Sequence, residues 1–485
     1  MEEQPGRYKR LAKNTVLMFI GTFGSKLVSF VMLPFYTMWL SVEDYGTSDI
    51  INVYSTVLLT LVSLCIGEAI FVIPSQKSKE QQSSYFTSSI VFSFLCAGVL
   101  ALLFFLVRIF MSDTHNSFCD NIGYITLLTL TTLYTTVFQQ FCKSIDEIRI
   151  FAFTGILQTL IVAGLGFCVI PKYQLAGYLW CMIIANIAAG IFVFFAAKLH
   201  RYLNTSLFSR KALGEMFRYS IPLIPNSVIW LVVSYLNRPL MESYLGLYAI
   251  GIYALANKFP TLINTVYNNF SSSWQISVLE QYGKSGFNSF YNKVMLMIIG
   301  GLSLFVACFS LGSSPLIKTF FSENYIDAIK YIPLLSLSCV FIAIGSISGA
   351  VFSAVRLSKY FFYSSIWSAA SAIILNYILI RRFGIDGACW ACVLSYLVGG
   401  VSRILYAKKF VTFNVTGYLS ILTAILCAVV CSIVYLDSTM MGAVLTIVLL
   451  SVYVMFCKKE SITLASIKKR NHANKENNND TVDNH

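Results

Sequence analysis

Apolar runs of near-membrane length recur along the whole chain, separated by short polar breaks. About 20 apolar residues carry a helix across the ~30 Å hydrocarbon core of a bilayer. A lipid-exposed segment must satisfy its own backbone, which makes each run helical. The runs centre near residues 26, 58, 95, 131, 160, 186, 226, 258, 302, 340, 370, 397, 426 and 448 and predict fourteen spans, with twelve or thirteen also compatible. No connecting segment exceeds about twenty residues. The pattern therefore leaves no soluble catalytic domain, and any chemistry must sit in the membrane or at its faces.

The pattern also repeats. At a constant offset of 210, Arg149 matches Lys359, Phe151 matches Phe361 and Lys172 matches Arg382. Gly177, Trp180, Gly190 and Lys198 match Gly387, Trp390, Gly400 and Lys408, with no gap. Repeated hydrophobic bundles mark secondary transporters, whose two halves enclose a site. Six spans per half is an even number, so both halves enter the membrane in one orientation. The expected organisation is a six-helix lobe over 1–205, a second over 206–412, two extra helices over 413–457 and a disordered cytoplasmic tail over 458–485.

Composition supports this reading. The chain is 57% hydrophobic and 12% charged, with a mean hydropathy of +0.71, whereas a soluble domain carries about 25% charged residues. The excess of Lys and Arg is topological and does not signal nucleic-acid binding. With both termini cytoplasmic, 26 of the 35 Lys and Arg fall in inner segments, as the positive-inside rule requires. The first apolar run lacks a small-residue cleavage site and reads as a retained span. The thirteen Cys lie mostly in apolar spans as small hydrophobes, with Cys119 expected to be exposed, and the Cys389/Cys392 pair has no partner pair for a metal. There is no Gly-rich phosphate loop, no carboxylate pair in a long loop and no His constellation, so neither ATP hydrolysis nor a metal or nucleophile site is expected.

Several motifs, in order, resemble one known family. Leu33-Pro34-Phe35-Tyr36 is followed by Leu40-Ser41-Val42-Glu43-Asp44-Tyr45-Gly46 and a helix opening Asp49-Ile50-Ile51. In the second half come Tyr219-Ser220-Ile221-Pro222 with Pro225-Asn226, Tyr253-Ala254-Leu255-Ala256-Asn257-Lys258, and Phe320-Phe321-Ser322-Glu323-Asn324-Tyr325 before Pro333-Leu334-Leu335. Over about residues 7–410 this resembles the Wzx-type repeat-unit flippases of O-antigen, capsule and exopolysaccharide synthesis. That family belongs to the multidrug/oligosaccharidyl-lipid/polysaccharide (MOP) exporter superfamily. The resemblance implies an all-α, MATE-like fold of about fourteen transmembrane helices: two six-helix lobes around a cavity plus two C-terminal helices. It also implies a non-enzymatic flippase in the bacterial cytoplasmic membrane, acting by alternating access on undecaprenyl-pyrophosphate-linked oligosaccharide. The expected partners are that lipid-linked cargo, membrane lipids, and a polysaccharide polymerase and glycosyltransferases. No cofactor is implied beyond an ion gradient of H+ or Na+.

The candidate site residues are polar groups at membrane depth. Lys26 lies thirteen residues after Lys13, about 20 Å along a helix. Such a charge costs roughly 2.5–3.5 kcal/mol on insertion scales unless it meets water or a partner. Thr22, Ser25 and Ser29 share its face. Lys258 occupies the comparable depth of the eighth span, with Asn257, Thr261 and Asn264 near it, while Asn52 and Asn226 extend similar stripes on the second and seventh spans. These stripes predict one hydrated cavity lined by spans one, two, seven and eight. Two lysines suit an anionic cargo through charge-assisted hydrogen bonds, and uncharged Asn, Thr and Tyr suit sugar hydroxyls. A drug–cation exporter would want acids there. Asp49, as an N-cap or an ion-coupling acid, and Glu68 are the acids placed for coupling, and Arg238 with Glu242 forms a candidate gate. The competing cargoes are lipid II and small cations. A membrane-embedded polymerase or ligase would want a large outer loop with Arg or His, which the chain lacks.

Overall fold

The computed structural model describes residues 4–480 except Gln76, Ser112, Asp113 and His115, and describes side chains from residue 17 to residue 459. The described residues form helices and no strands. α1 (Gln4–Val31) leads into the short α2 (Leu33–Trp39), where Pro34 sits in the first turn and forfeits no hydrogen bond. Ser41 caps α3 (Val42–Ser63) by accepting from the Asp44 N–H at 3.0 Å. Leu64 and Cys65 both take left-handed backbone, and the chain bends 61° into α4 (Ile66–Val72), so α3 and α4 form one broken span. A Ser78/Gln81 capping box opens α5 (Lys79–Phe110). α6 (Ser117–Asp120) and α7 (Ile122–Ser144) precede α8 (Ile148–Ala196). Then follow α9 (Arg210–Ser220), α10 (Ile224–Tyr235), α11 (Asn237–Gln281), α12 (Phe287–Phe320) and α13 (Ala328–Ala354). α14 (Lys359–Ala407), α15 (Thr416–Tyr435) and α16 (Thr439–Asp480) complete the order.

Nine described segments are long and apolar enough to cross a bilayer, ten when the bent pair α3 and α4 counts as one span. Length then raises the number. α8 and α14 hold 49 residues each, about 74 Å if straight, against a core of ~30 Å. Each breaks near its middle, α8 at Gln174 (φ 46°, ψ −125°) and α14 at Gly384 (φ 60°, ψ −131°). The break is a reversal. A Cβ on Gly177 would stand 2.9 Å from the Val169 carbonyl oxygen, and one on Gly387 would stand 2.0 Å from that of Leu379. Eight residues along a straight helix would separate those positions by about 12 Å. The segment 210–281 also breaks, at Gly246 (φ 80°, ψ −178°). Counting these second crossings and the threonine-rich α7 gives the fourteen spans read from the sequence. The breaks at 174 and 384 differ by the repeat offset of 210, as do the close approaches at 177 and 387.

The chain divides into two compact units. The first comprises Met1–Val266, Lys318–Ala328 and Ala372–Ala388; the second comprises Tyr267–Ile317, Ile329–Ser371 and Cys389–His485. This division crosses the lobe boundary expected at 205/206, because compactness follows which segments meet while the repeat follows chain order. In the first unit α1 and α8 pack backbone to backbone, since a Cβ on Gly21 would lie 2.7 Å from the Ala152 Cα. Phe86 and Phe141 stack at 4.4 Å in the core between α5 and α7. Cys119, expected exposed, is buried at 6% against Val107 and Ile122, because Asn116 caps the short α6 and turns the thiol inward.

In the second unit α13 is the buried centre. Tyr291 on α12 donates to its Ile347 carbonyl at 2.7 Å. Asn292 pins the strap before α15, donating to the Thr412 carbonyl (2.7 Å) and accepting from the Asn414 N–H (2.9 Å). The tail expected to be disordered, 458–485, lies outside the described side chains from residue 460 onward. The α16 backbone stays helical to Asp480, with no Gly or Pro after Gly442 to stop it.

Candidate functional site

Within the first unit, α1, α2, α3, both halves of α8 and α11 surround a cavity of about 440 Å³. Lys26 and Lys258 both line it and stand close enough to repel each other. Neither forms an ion pair among the described residues. Lys258 lies 6.0 Å over the Tyr45 ring, a contact in which the ring's negative face meets the ammonium. The polar stripe of α1 turns its Ser25 and Ser29 to the cavity, and their hydroxyls also donate to the Thr22 and Ser25 carbonyls at 3.0 Å. On α11, Asn257 and Thr261 complete the Lys258 side, with Thr261 donating to the Asn257 carbonyl at 2.8 Å.

The single acid on the lining, Asp49, is already matched. Its carboxylate accepts from Arg238 Nε at 3.2 Å, and the two side chains are only 16% and 4% exposed. Arg238 also donates to the Ser234 carbonyl (3.0 Å) and to Asn237 Oδ1 (2.9 Å), and it lies 4.7 Å over the Tyr253 ring. Asp49 and Arg238 cancel, so the lining keeps the positive charge of two lysines. Asp49 does not cap α3, a role Ser41 fills; it sits two turns further in.

The structure gathers Lys26, Lys258, Asn257, Thr261 and Asp49 on one surface and leaves three expected residues off it. Asn52 is turned behind the lining and donates to the Ser48 carbonyl (2.7 Å) and to Met182 Sδ (3.8 Å). Asn264 is half-buried, and its Oδ1 has no hydrogen-bond partner among the described residues. Asn226 is exposed on α10. The seventh span does not line the cavity as expected, because its later polar groups, the Ser234 carbonyl and Asn237, are spent holding Arg238. The candidate gate pair is likewise divided. Arg238 is tied to Asp49, while Glu242 accepts from Tyr54 Oη (2.9 Å) and the Ser117 N–H (2.8 Å). Glu68 is exposed on α4, away from the cavity.

Sequence reasoning missed the fifth and sixth spans, which supply Gln158, Thr159 and Tyr178. Gln158 carried the same signal as the lysines, a strongly polar side chain in mid-span. Tyr36, Tyr45 and Tyr178 carried none, because a tyrosine in an apolar run reads as core. Tyr36 and Tyr178 meet at 5.1 Å and form an aromatic wall.

The described residues form a multi-pass helical bundle around a cavity lined by two lysines, an arrangement that fits a membrane transporter. Comparison with known proteins agrees. The family model described as "Polysaccharide biosynthesis protein" matches residues 11–276. Over half the chain is covered, and the chain belongs to that family. Among solved structures, the lipid II flippase MurJ in an inward closed conformation superposes with a TM-score of 0.71 at 17% identity, over 93% of this chain and 100% of that one. An outward-facing multidrug resistance MATE transporter of the MOP superfamily gives 0.59 at 14% identity, over 83% and 95%. At these identities the likeness establishes the fold. Two uncharacterized membrane proteins of Methanocaldococcus jannaschii match at 26% identity over 201 residues and 24% over 217, covering 41% and 42% of this chain. The matched regions span less than half of each relative, 47% and 41%.

Proposed function

We propose that the protein flips undecaprenyl-pyrophosphate-linked oligosaccharide repeat units across the bacterial cytoplasmic membrane by alternating access, for cell-surface polysaccharide synthesis. The observation that carries the reading is the uncompensated charge of the cavity: Lys26 and Lys258 face it without an ion-pair partner among the described residues, while its one acid is matched by Arg238. A desolvated pyrophosphate gains charge-assisted hydrogen bonds from both ammonium groups. A cationic drug would be repelled by them. The serines, Asn257, Thr261, Gln158 and the three tyrosines offer sugar hydroxyls neutral partners without adding charge. The cargo's polyprenyl tail stays in lipid, and an H+ or Na+ gradient drives the cycle, with Asp49 the acid nearest the cargo. Its product passes to a surface polymerase, and glycosyltransferases supply its substrate.

The family assignment favours repeat units over lipid II, which carries the same pyrophosphate, so the test separates the two. In a deletion strain, lipid-linked repeat units are expected to accumulate on the inner leaflet. Wild type clears them, and membrane-inserted Lys26→Ala/Lys258→Ala does not. Each lysine is expected to be worth roughly 10- to 100-fold in pyrophosphate affinity, the scale of a hydrogen bond to a charged group. Normal surface polysaccharide in the deletion strain, with peptidoglycan precursors accumulating, would transfer the assignment to lipid II. Export intact in the double variant at normal abundance would remove the cavity from the mechanism.

A further inference from the structure

The cavity's one amide from the fifth span is held by a hydrogen-bonded relay. Gln158 Nε2 donates to Asn186 Oδ1. Asn186, 6% exposed on the second half of α8, donates through Nδ2 to Thr132 Oγ1 at 3.2 Å and toward Thr131 Oγ1 at 3.5 Å. Thr131 spends its only proton on the carbonyls one turn back, at 2.9 and 3.2 Å, so it can only accept from Asn186. The Asn186 carbonyl accepts from Thr135 Oγ1 at 2.9 Å, which locks the helix position. In this arrangement Asn186 presents its amide nitrogen to α7 and its oxygen to Gln158. Gln158 gives its nitrogen to Asn186, and Gln158 Oε1 is left without a donor among the described residues while the side chain lines the cavity.

A neutral, fixed acceptor beside two ammonium groups has a definite selectivity. It meets phosphate oxygens with lone pair against lone pair, so it cannot bind the pyrophosphate. It rewards a hydroxyl or amide N–H that reaches it while the phosphates lie on Lys26 and Lys258. We propose that Gln158 is the sugar-reading acceptor of the cavity, and that Asn186 on α8 and Thr132 on α7 are positioning residues that fix its polarity. The inference rests on the flippase reading above and assigns within it the group that tells a glycosylated pyrophosphate from a bare one. The tyrosine pair Tyr36 and Tyr178, on the same lining, gives the sugar's C–H face an apolar surface.

The test uses the purified full-length protein in nanodiscs and two soluble probes, farnesyl pyrophosphate and farnesyl-pyrophosphoryl-glucose, each titrated to equilibrium. Wild type is expected to bind the glycosylated probe more tightly. Gln158→Met removes the acceptor at nearly constant shape and is expected to weaken the glycosylated probe roughly three- to tenfold, the range of one neutral hydrogen bond. The bare probe should be unchanged, which also shows that the variant is folded. Asn186→Leu frees the amide to rotate and is expected to give the same selective loss, as a merely structural role would not. Equal loss for both probes, or no loss for either, overturns the assignment of Gln158. Wild-type binding of the bare probe with no gain from the sugar overturns it while leaving the pyrophosphate reading intact. Failure of wild type to bind either probe overturns both readings.

Discussion

The side chains at membrane depth divide into those whose charge is matched and those whose charge is available. Asp49 and Arg238 are matched, and breaking such a buried pair by removing one partner costs about 3–5 kcal/mol, because the other charge stays buried. Asp49→Asn is therefore expected to lower the thermal stability of the purified protein sharply. Asp49→Asn/Arg238→Gln should recover much of that loss, and a thermal double-mutant cycle reads the coupling. Additive losses would mean that the 3.2 Å contact contributes nothing. Lys26→Ala should behave in the opposite way and leave stability equal or raised, since its ammonium meets a like charge in place of a partner. The lysines were legible in the sequence because a charge in an apolar run has few explanations. The Arg238 and Asp49 pairing was not, since 189 residues separate them and only the packing of α3 against the start of α11 brings them together.

At the scale of elements, helix existence and the repeat were readable because periodic apolar text of membrane length has one stable outcome. Where helices touch was not, because contact is set by single glycines that hydropathy ignores. A Cβ on Gly46 would stand 2.2 Å from the Leu247 carbonyl oxygen, and one on Gly251 would stand 2.0 Å from that of Val42. These two glycines let α3 and α11 cross with their backbones in contact. Gly46→Ala or Gly251→Ala must push the helices apart and is expected to cost about 1–3 kcal/mol. Gly98→Ala, with nothing within 4 Å of its added methyl, should be neutral or gain up to about 1 kcal/mol from helix propensity. The ranking can be read from melting temperatures of the three variants. The repeat supplies a stabilising counterpart. Gln174 holds the reversal conformation that its partner position fills with Gly384, and a non-glycine there stores of order 1–3 kcal/mol. Gln174→Gly should raise the melting temperature, and a fall would mean that the glutamine side chain holds the turn.

For the molecule as a whole, orientation follows from counting, and the count is exposed to a direct check. Fourteen crossings return the chain to the side on which it started; thirteen would not. The distribution of basic residues then chooses the side. A Lys or Arg near a span end resists translocation, and an inverted chain would have to carry most of its 35 Lys and Arg across the membrane. The segment after α8 is the sharpest case: Lys198, Arg201, Arg210, Lys211 and Arg218 all sit within 21 residues and all are exposed. The reversals at Gln174 and Gly384 are the other half of the count, because each adds a crossing that a continuous helix would lack. A reporter active only in the cytoplasm is expected to be active when fused after residue 205 and at the C-terminus. One active only outside the membrane should be active when inserted after residue 174 or after residue 384. Cytoplasmic activity at 174 would show that α8 does not reverse across the membrane there and would reduce the count. An external C-terminus with an internal residue 205 would leave an odd number of crossings after the linker, placing the error among α10 to α16.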